Sequence, residues 1–327
     1  MAAYCFFIVF VALSTLLVNS EAKLIIRVDQ SGKGDYMKIQ EAIDAVPSNN
    51  QEPVYIKINP GVYEEKVVVP VDKPFIILSG SKAANTIITW NESGEIFECP
   101  TFSVLASDFV AQYLTIQNTY GPGAKAVALR VSGDRVTFSG CRILSHQDTL
   151  LDDNGRHYYV NCYIEGDTDF ICGNAASLFE KCHLHSVSER GGAITAQRRV
   201  SADEDTGFTF VNCKISGVKS GSAVLGRPWG SYSKVVFAFT YMSNAILPQG
   251  WDDWRDSAKQ NTVYYGEYKC YGPGAITKTR VEWSRNLSTQ EAQPFLSKDL
   301  INGKSWITLA PTSSKNSTSA GNINGGH

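Results

Sequence analysis

Four cysteines sit in near-identical surroundings, and their recurrence constrains the fold more than any other feature of the chain. VTFSGCRIL carries Cys141, HYYVNCYIE carries Cys162, SLFEKCHLH carries Cys182 and FTFVNCKIS carries Cys213. Aromatic or aliphatic residues precede each cysteine, and an apolar residue follows two positions later. That alternation is the period-2 mark of a strand with one buried face. The intervals are 21, 20 and 31 residues, with weaker copies upstream in FVAQYLTIQ and downstream in VVFAFTYMS. Short strands recurring at such intervals, with few helical stretches between them, indicate a solenoid. A leucine-rich repeat shares the period but needs a leucine ladder that this chain lacks. The pattern predicts an all-β parallel β-helix in which each coil lays its strand on the one before.

Helices are expected only near the ends. MKIQEAIDAV, Met37 to Val46, places apolar residues near helical spacing, and the capping-box pattern Ser288-Thr289-Gln290-Glu291 opens a second helix running toward Leu300. The cysteine register also aligns two acids. Asp148 follows Cys141 by seven residues, and Asp169 follows Cys162 by seven. Stacked strands lie roughly 4.8 Å apart, so the two carboxylates face each other across one rung. Like charges that close raise one pKa, leaving one group able to act as an acid while the other stays ionised. The stretch GDTDFICGN, residues 166–174, thus sets Asp169 against Phe170 and Ile171. A carboxylate in such a setting needs a partner.

The chain has 327 residues, 43% hydrophobic and 19% charged, with a formal net charge of -2. That balance supplies no basic face for nucleic acid. FFIVFVALSTLLV, from Phe6 to Val18, precedes the small-x-small trio Ser20-Glu21-Ala22. This outlines a secretory signal peptide over residues 1–22, with a signal anchor as the alternative because the leading region carries no Lys or Arg. No later stretch reads as membrane-spanning, and the mature chain is expected to be a secreted, soluble monomer. Sequons at Asn91, Asn286 and Asn316 fit that compartment. Residues 23–310 read as one catalytic domain and 311–327 as a disordered tail. Outside the leader seven cysteines remain, an odd number, and neither they nor the scattered histidines form a metal-ligand pattern. Stacking brings Cys141 near Cys162 and Cys182 near Cys213, which permits two disulfides or a ladder of reduced thiols.

Read in order, the chain contains GVYEE at 61–65, AVALR at 126–130, HQDTLL at 146–151, TDFICGNA at 168–175, LGRPWG at 225–230 and QGWDDW at 249–254. This ordered set resembles the plant pectin methylesterase (pectinesterase) family across essentially all of residues 23–310. The resemblance implies a right-handed parallel β-helix and a carboxylic ester hydrolase. Its substrate would be the methyl esters of pectin homogalacturonan in the cell wall, with methanol released and no metal or organic cofactor used. It implies that Asp169 is the nucleophile, Asp148 the general acid and then base, Gln147 an oxyanion-stabilising amide, and Arg227 the guanidinium that orients the nucleophile. Trp229 and Trp251 correspond to aromatics lining a sugar cleft, although either also reads as core, and Phe170 is expected beside the substrate. A proteinaceous inhibitor is implied as a partner by analogy. The helical inhibitor-like region that often precedes such a domain is not expected here.

Two positions depart from the family pattern. Lys125 stands where Gln is usual before Ala-Val-Ala-Leu, replacing a second oxyanion donor with a full charge on a flexible stem. It can serve as a substrate-binding cation, lower the pKa of the acid pair, or weaken catalysis and leave a pectin-binding wall protein. Cys172 stands where an aromatic is common, and without a neighbouring histidine it reads as a small buried residue rather than a nucleophile. Polygalacturonases and pectate lyases share the expected fold, so fold alone does not decide the chemistry.

Overall fold

The computed structural model describes residues 24–307. The expected leader at 1–22, the tail at 311–327 and the sequon at Asn316 lie outside the described residues. Each coil contributes one short strand to each of three parallel sheets, of eleven, eight and seven strands among the described residues. One coil runs through Val136–Ser139, Arg142–Leu144 and Leu150–Asp152, and the next through Arg156–Val160, Tyr163–Gly166 and Ile171–Gly173. Their register is Val136 on His157, Arg142 on Tyr163 and Leu150 on Ile171, so the predicted stacking of equivalent positions holds. This is the parallel β-helix expected from the repeat.

Stacking in register turns the inward side chains into ladders. Phe138, Tyr159, Phe179, Phe210 and Phe237 occupy one position on successive coils, with ring centroids 5.5, 4.5, 4.5 and 4.5 Å apart. The cysteines form a second ladder just past the corner that joins the eleven- and eight-stranded sheets. The residue before each one holds a positive φ, from Gly140 at 62° to Asn161 at 53°, Lys181 at 54° and Asn212 at 55°. One left-handed residue turns the chain sharply, and a small side chain must fill the space inside the bend. All seven described cysteines are free. The expected pairs Cys141–Cys162 and Cys182–Cys213 are therefore corrected in favour of the reduced ladder. Stacked Cβ atoms lie a full rung apart with parallel vectors, whereas a disulfide needs them to converge to about 3.8 Å. Each thiol of the four-cysteine ladder instead contacts a carbonyl of the preceding coil, as Cys162 does with Phe138 O at 3.4 Å and Cys182 with Tyr159 O at 3.4 Å.

Among the described residues α-helix is confined to the ends, in shorter pieces than the sequence suggested. The first helix spans Ile39–Asp44 and buries Ile39, Ala42 and Ile43 against the first coil. At the other end the capping box forms: Glu291 N donates to Ser288 Oγ at 3.3 Å and Ser288 N to Glu291 Oε2 at 2.8 Å. The α-helix it opens covers only Thr289–Ala292 before giving way to 3-10 turns. Pro294 explains the break, since it lacks the N–H that would continue the ladder.

Candidate active site

The site grows from the corner between the eight- and seven-stranded sheets. Lys125, Gln147 and Thr168 stack through isolated parallel bridges on three successive coils. The next residues, Asp148 and Asp169, make the turn with φ of 59° and 50°. Aspartate tolerates this left-handed region better than most residues, and backbone strain of this kind clusters at functional positions. Asp148 N donates to Thr168 O at 3.2 Å, which locks the two turns in register and stacks the two acids. Gly173 completes the GDTDFICGN segment at φ 121°, where an added Cβ would collide with the Asp152 carbonyl of the coil before. Only glycine lets those coils close to one rung.

Both acids are buried, Asp148 at 7% and Asp169 at 4% exposed. Arg227, in the LGRPW segment, binds Asp169 with both arms of its guanidinium, Nε to Oδ1 at 2.7 Å and Nη2 to Oδ2 at 2.6 Å. Burial pushes the Asp169 carboxyl up, and the bidentate arginine opposes that rise. Asp148 has no such partner: its carboxyl makes no hydrogen bond among the described residues. Burial first, and repulsion from Asp169 second, lift it to about 7, with Lys125 and then Arg227 pulling the other way. Both carboxyls are raised, Asp148 the further, so a proton is held more readily on Asp148 than on Asp169.

Around the acids lies an open pocket walled by Lys125, Gln147 and Arg227 on its polar side. Ile96, Cys172, Ala196, Trp229 and Trp254 form the remainder. The Lys125 ammonium and Gln147 amide have no hydrogen-bond partner among the described residues, leaving donors free at the mouth of the pocket. No cluster of three or more His, Cys, Asp or Glu suited to a metal occurs among the described residues.

The structure thus brings Asp148, Asp169, Gln147, Arg227, Lys125 and Trp229 together and corrects two other expectations. Phe170 is fully buried in the core behind Asp169, so it packs beneath that carboxylate and cannot touch a substrate. Trp251 is also buried, at 1% exposed, with its ring stacked on Tyr265 at 4.3 Å. It bridges to Gly226 beside Arg227, so it packs the inside of that coil rather than the cleft. Trp254 holds the wall position instead, with the Arg227 guanidinium 4.0 Å from its ring centroid. Its φ of 57° is costly for a bulky side chain, and an Asx turn, Trp254 N to Asp252 Oδ1 at 2.7 Å, secures it. The Asp-Asp-Trp triplet at 252–254 was the available signal for that turn. Cys172 lies in the pocket wall, but burial pushes its thiol far up, consistent with a packing residue.

Comparison with known proteins bears on this geometry. The family model described as Pectinesterase matches residues 25–304. The Arabidopsis thaliana protein named "Putative pectinesterase 11" is 58% identical over 301 residues, covering 91% of this chain and 85% of the relative. Pectinesterase QRT1 of Arabidopsis thaliana is 42% identical over 89% of this chain and 80% of its own length. Among solved structures, pectin methylesterase from carrot superimposes with a TM-score of 0.83 at 35% identity, covering 87% of this chain and 94% of that one.

Proposed function

We propose a division of labour for the acid pair of this chain, which belongs to the pectinesterase family and is an enzyme of the pectinesterase type. The observation that carries the reading is the asymmetry of the pair: Asp169 clamped by Arg227, and Asp148 without a partner and lifted to about 7. Ionised Asp169 attacks the carbonyl carbon of a galacturonate methyl ester in pectin. The resulting oxyanion is met by the Gln147 amide and the Lys125 ammonium. Protonated Asp148 gives its proton to the methoxy oxygen, and methanol leaves. The sugar acyl group is then held on Asp169 as an anhydride. Asp148, now a carboxylate, takes a proton from water, and the hydroxide attacks the sugar acyl carbon. The products are a free uronic acid, ionised Asp169 and reprotonated Asp148, so the cycle closes.

Trp229 and Trp254 supply flat apolar faces for sugar rings, and the open pocket suits a polymer that enters and leaves sideways. Secretion to the cell wall follows from the signal-like leader together with this substrate. Among the described residues no helix is long and apolar enough to cross a membrane. Methanol release from esterified pectin is the deciding measurement, on the native protein beside Asp169→Ala and Lys125→Gln. Release by the native protein that is lost in Asp169→Ala supports the reading. Pectin retention without release, restored by Lys125→Gln, would make the native protein a pectin-binding wall protein instead. Shortened chains without methanol would point to a glycosidase or lyase.

A further inference from the structure

We propose that His183 and His185 form a two-imidazole site for a divalent transition-metal ion, Cu²⁺ ahead of Zn²⁺, on the outer face of the eight-stranded sheet. The site lies apart from the acid pair and does not depend on the esterase reading.

Strand pitch creates the pair. His183–Ser186 is one strand of that sheet, and residues two apart on a strand point to the same side. Leu184 between them is fully buried, so both histidines face outward, and each stays half-buried. Register adds the neighbours. On the next coil Lys214 stands against His183 and Ser216 against His185. On the coil before, Tyr163 and Glu165 hold the same two places.

Ser216 marks where the two rings aim. Its Oγ lies 2.7 Å from His183 Nε2 and 2.7 Å from His185 Nδ1, so nitrogens of two rings converge on one atom. A hydroxyl carries a single proton, so one imidazole accepts from it while the other donates to it. A metal ion instead takes a lone pair from each ring. His183 then binds through Nε2 with its proton on Nδ1, and His185 through Nδ1 with its proton on Nε2. Both are ordinary tautomers of neutral imidazole, and coordination changes no oxidation state. Metal–nitrogen bonds of about 2.0–2.1 Å set two cis nitrogens about 3 Å apart, a spacing within reach of side-chain rotation here. The rings are also braced. Tyr163 meets His183 edge-on at 5.1 Å and lies at 25° to His185 at 6.1 Å, which lowers the entropy cost of presenting two ligands together.

The charges around the pair favour this use. Glu165 is the acid of the face, but its Oε2 accepts from Tyr163 Oη at 2.6 Å, so it supplies negative field rather than a ligand. Lys214 opposes that field, as does Arg142, 5.3 Å from the Tyr163 centroid. Burial first, then Lys214 and His185, hold the His183 imidazole below its ordinary pKa and keep its lone pair free of a proton. Two imidazoles are fewer than the three protein ligands of a resident metal centre, so the ion keeps water in its other positions and exchanges with its surroundings. Imidazole suits both ions, and the general order of divalent affinities puts Cu²⁺ before Zn²⁺.

The test is calorimetric titration of the native protein with Cu²⁺ alone and with Zn²⁺ alone, joined to electron paramagnetic resonance of the copper form. One equivalent of Cu²⁺ should bind, with splitting from two imidazole nitrogens, and Zn²⁺ should bind more weakly. The copper spectrum of the native protein counts the ligands without any variant. His183→Gln and His185→Gln should each weaken Cu²⁺ binding at least about tenfold, because the second imidazole no longer acts at high effective concentration. Ser216→Ala keeps both rings and should change the affinity by less than about threefold, since a hydroxyl is not among the usual ligands of these ions. Thermal melts of the metal-free variants should match the native protein, as outward half-buried positions predict. Cu²⁺ affinity that is unchanged in either histidine variant, or splitting from a single nitrogen, overturns the site.

Discussion

Asp148 and Asp152 lie four residues apart on one coil, and both are buried, yet their surroundings are opposite. Asp152 is fully enclosed and hydrogen-bonded to three side chains: His157 Nδ1 at 2.6 Å, Tyr159 Oη at 2.7 Å and Ser177 Oγ. This network ties three coils together, and His157 extends it to the Gly133 carbonyl at 2.8 Å. Asp148 has burial without donors and a second carboxylate for a neighbour. The same residue type on the same coil is structural where its lone pairs are satisfied and, in the proposed mechanism, reactive where they are not. The fold supports the second environment because a whole β-helix surrounds it, and backbone stacking, rather than the acid itself, holds the corner.

The strongest way to break this comparison is to remove an acid from each side. Asp169→Ala should lower methanol release by about 10⁴-fold or more while changing folding stability by no more than about 1 kcal/mol. Arg227 stays partly exposed and stacked on Trp254, so its lost partner is replaced by water. Asp152→Ala should do the reverse. It orphans buried polar groups on His157, Tyr159 and Ser177, so urea unfolding should show a loss on the order of 3–5 kcal/mol. The protein that remains folded should still release methanol. Equal damage to activity and stability in both variants would erase the distinction.

How far the sequence revealed these two sites differs for a physical reason. The cysteine repeat located the coils, and counting from it put Asp148 over Asp169, because a parallel stack converts sequence register into contact. Arg227 was placed only by its motif: it lies 58 residues from Asp169, and no period links them. Strand alternation sends Phe170 inward, against the expectation that it lies beside the substrate. Trp251 read as either cleft or core and Trp254 was not singled out, because both lie in an irregular segment where left-handed turns at Gly250 and Trp254 decide which ring faces the cleft. The Asp152 network passed unnoticed, since its partners come from one coil and the next at no common spacing. Turn conformation and cross-coil polar contacts are tertiary facts, and residue periodicity does not carry them.

A smaller effect sharpens the contrast from the stability side. The Asp148 carboxyl is raised from an ordinary 3.8 to about 7, chiefly by burial. Between those values the folded protein keeps a proton that the unfolded chain gives up. Stability therefore falls as pH rises through that window, with no cost below about 3.8 and the full cost above about 7. Asp148→Asn cannot ionise, so it should be more stable than the native protein by on the order of 2–4 kcal/mol at pH 8 and nearly equal to it at pH 3. Methanol release should fall about 10²- to 10⁴-fold, as loss of a general acid predicts. Thermal melts across that pH range decide the matter. A variant no more stable at pH 8 would mean that Asp148 is not held against its tendency to ionise.

Lys125→Gln should produce the smallest shift, and it tests how the pair is tuned. Lys125 is the larger of the two cationic influences pulling Asp148 down, ahead of Arg227. With the ammonium gone, Asp148 should hold its proton to higher pH. In the proposed mechanism acylation requires Asp148 protonated, so activity in the native protein should decline as pH climbs through about 7, and in Lys125→Gln that alkaline limb should move upward by about half a unit to one unit. The acid limb, set by ionisation of Asp169, should move less, because Lys125 is not among the groups acting on that carboxyl while Arg227 is. The pH profile of kcat/KM reads both limbs on one enzyme preparation. An alkaline limb that stays in place while kcat changes would show that Lys125 acts on the oxyanion or the substrate and not on the proton of Asp148. A downward shift would reverse the sign of its influence on the acid pair.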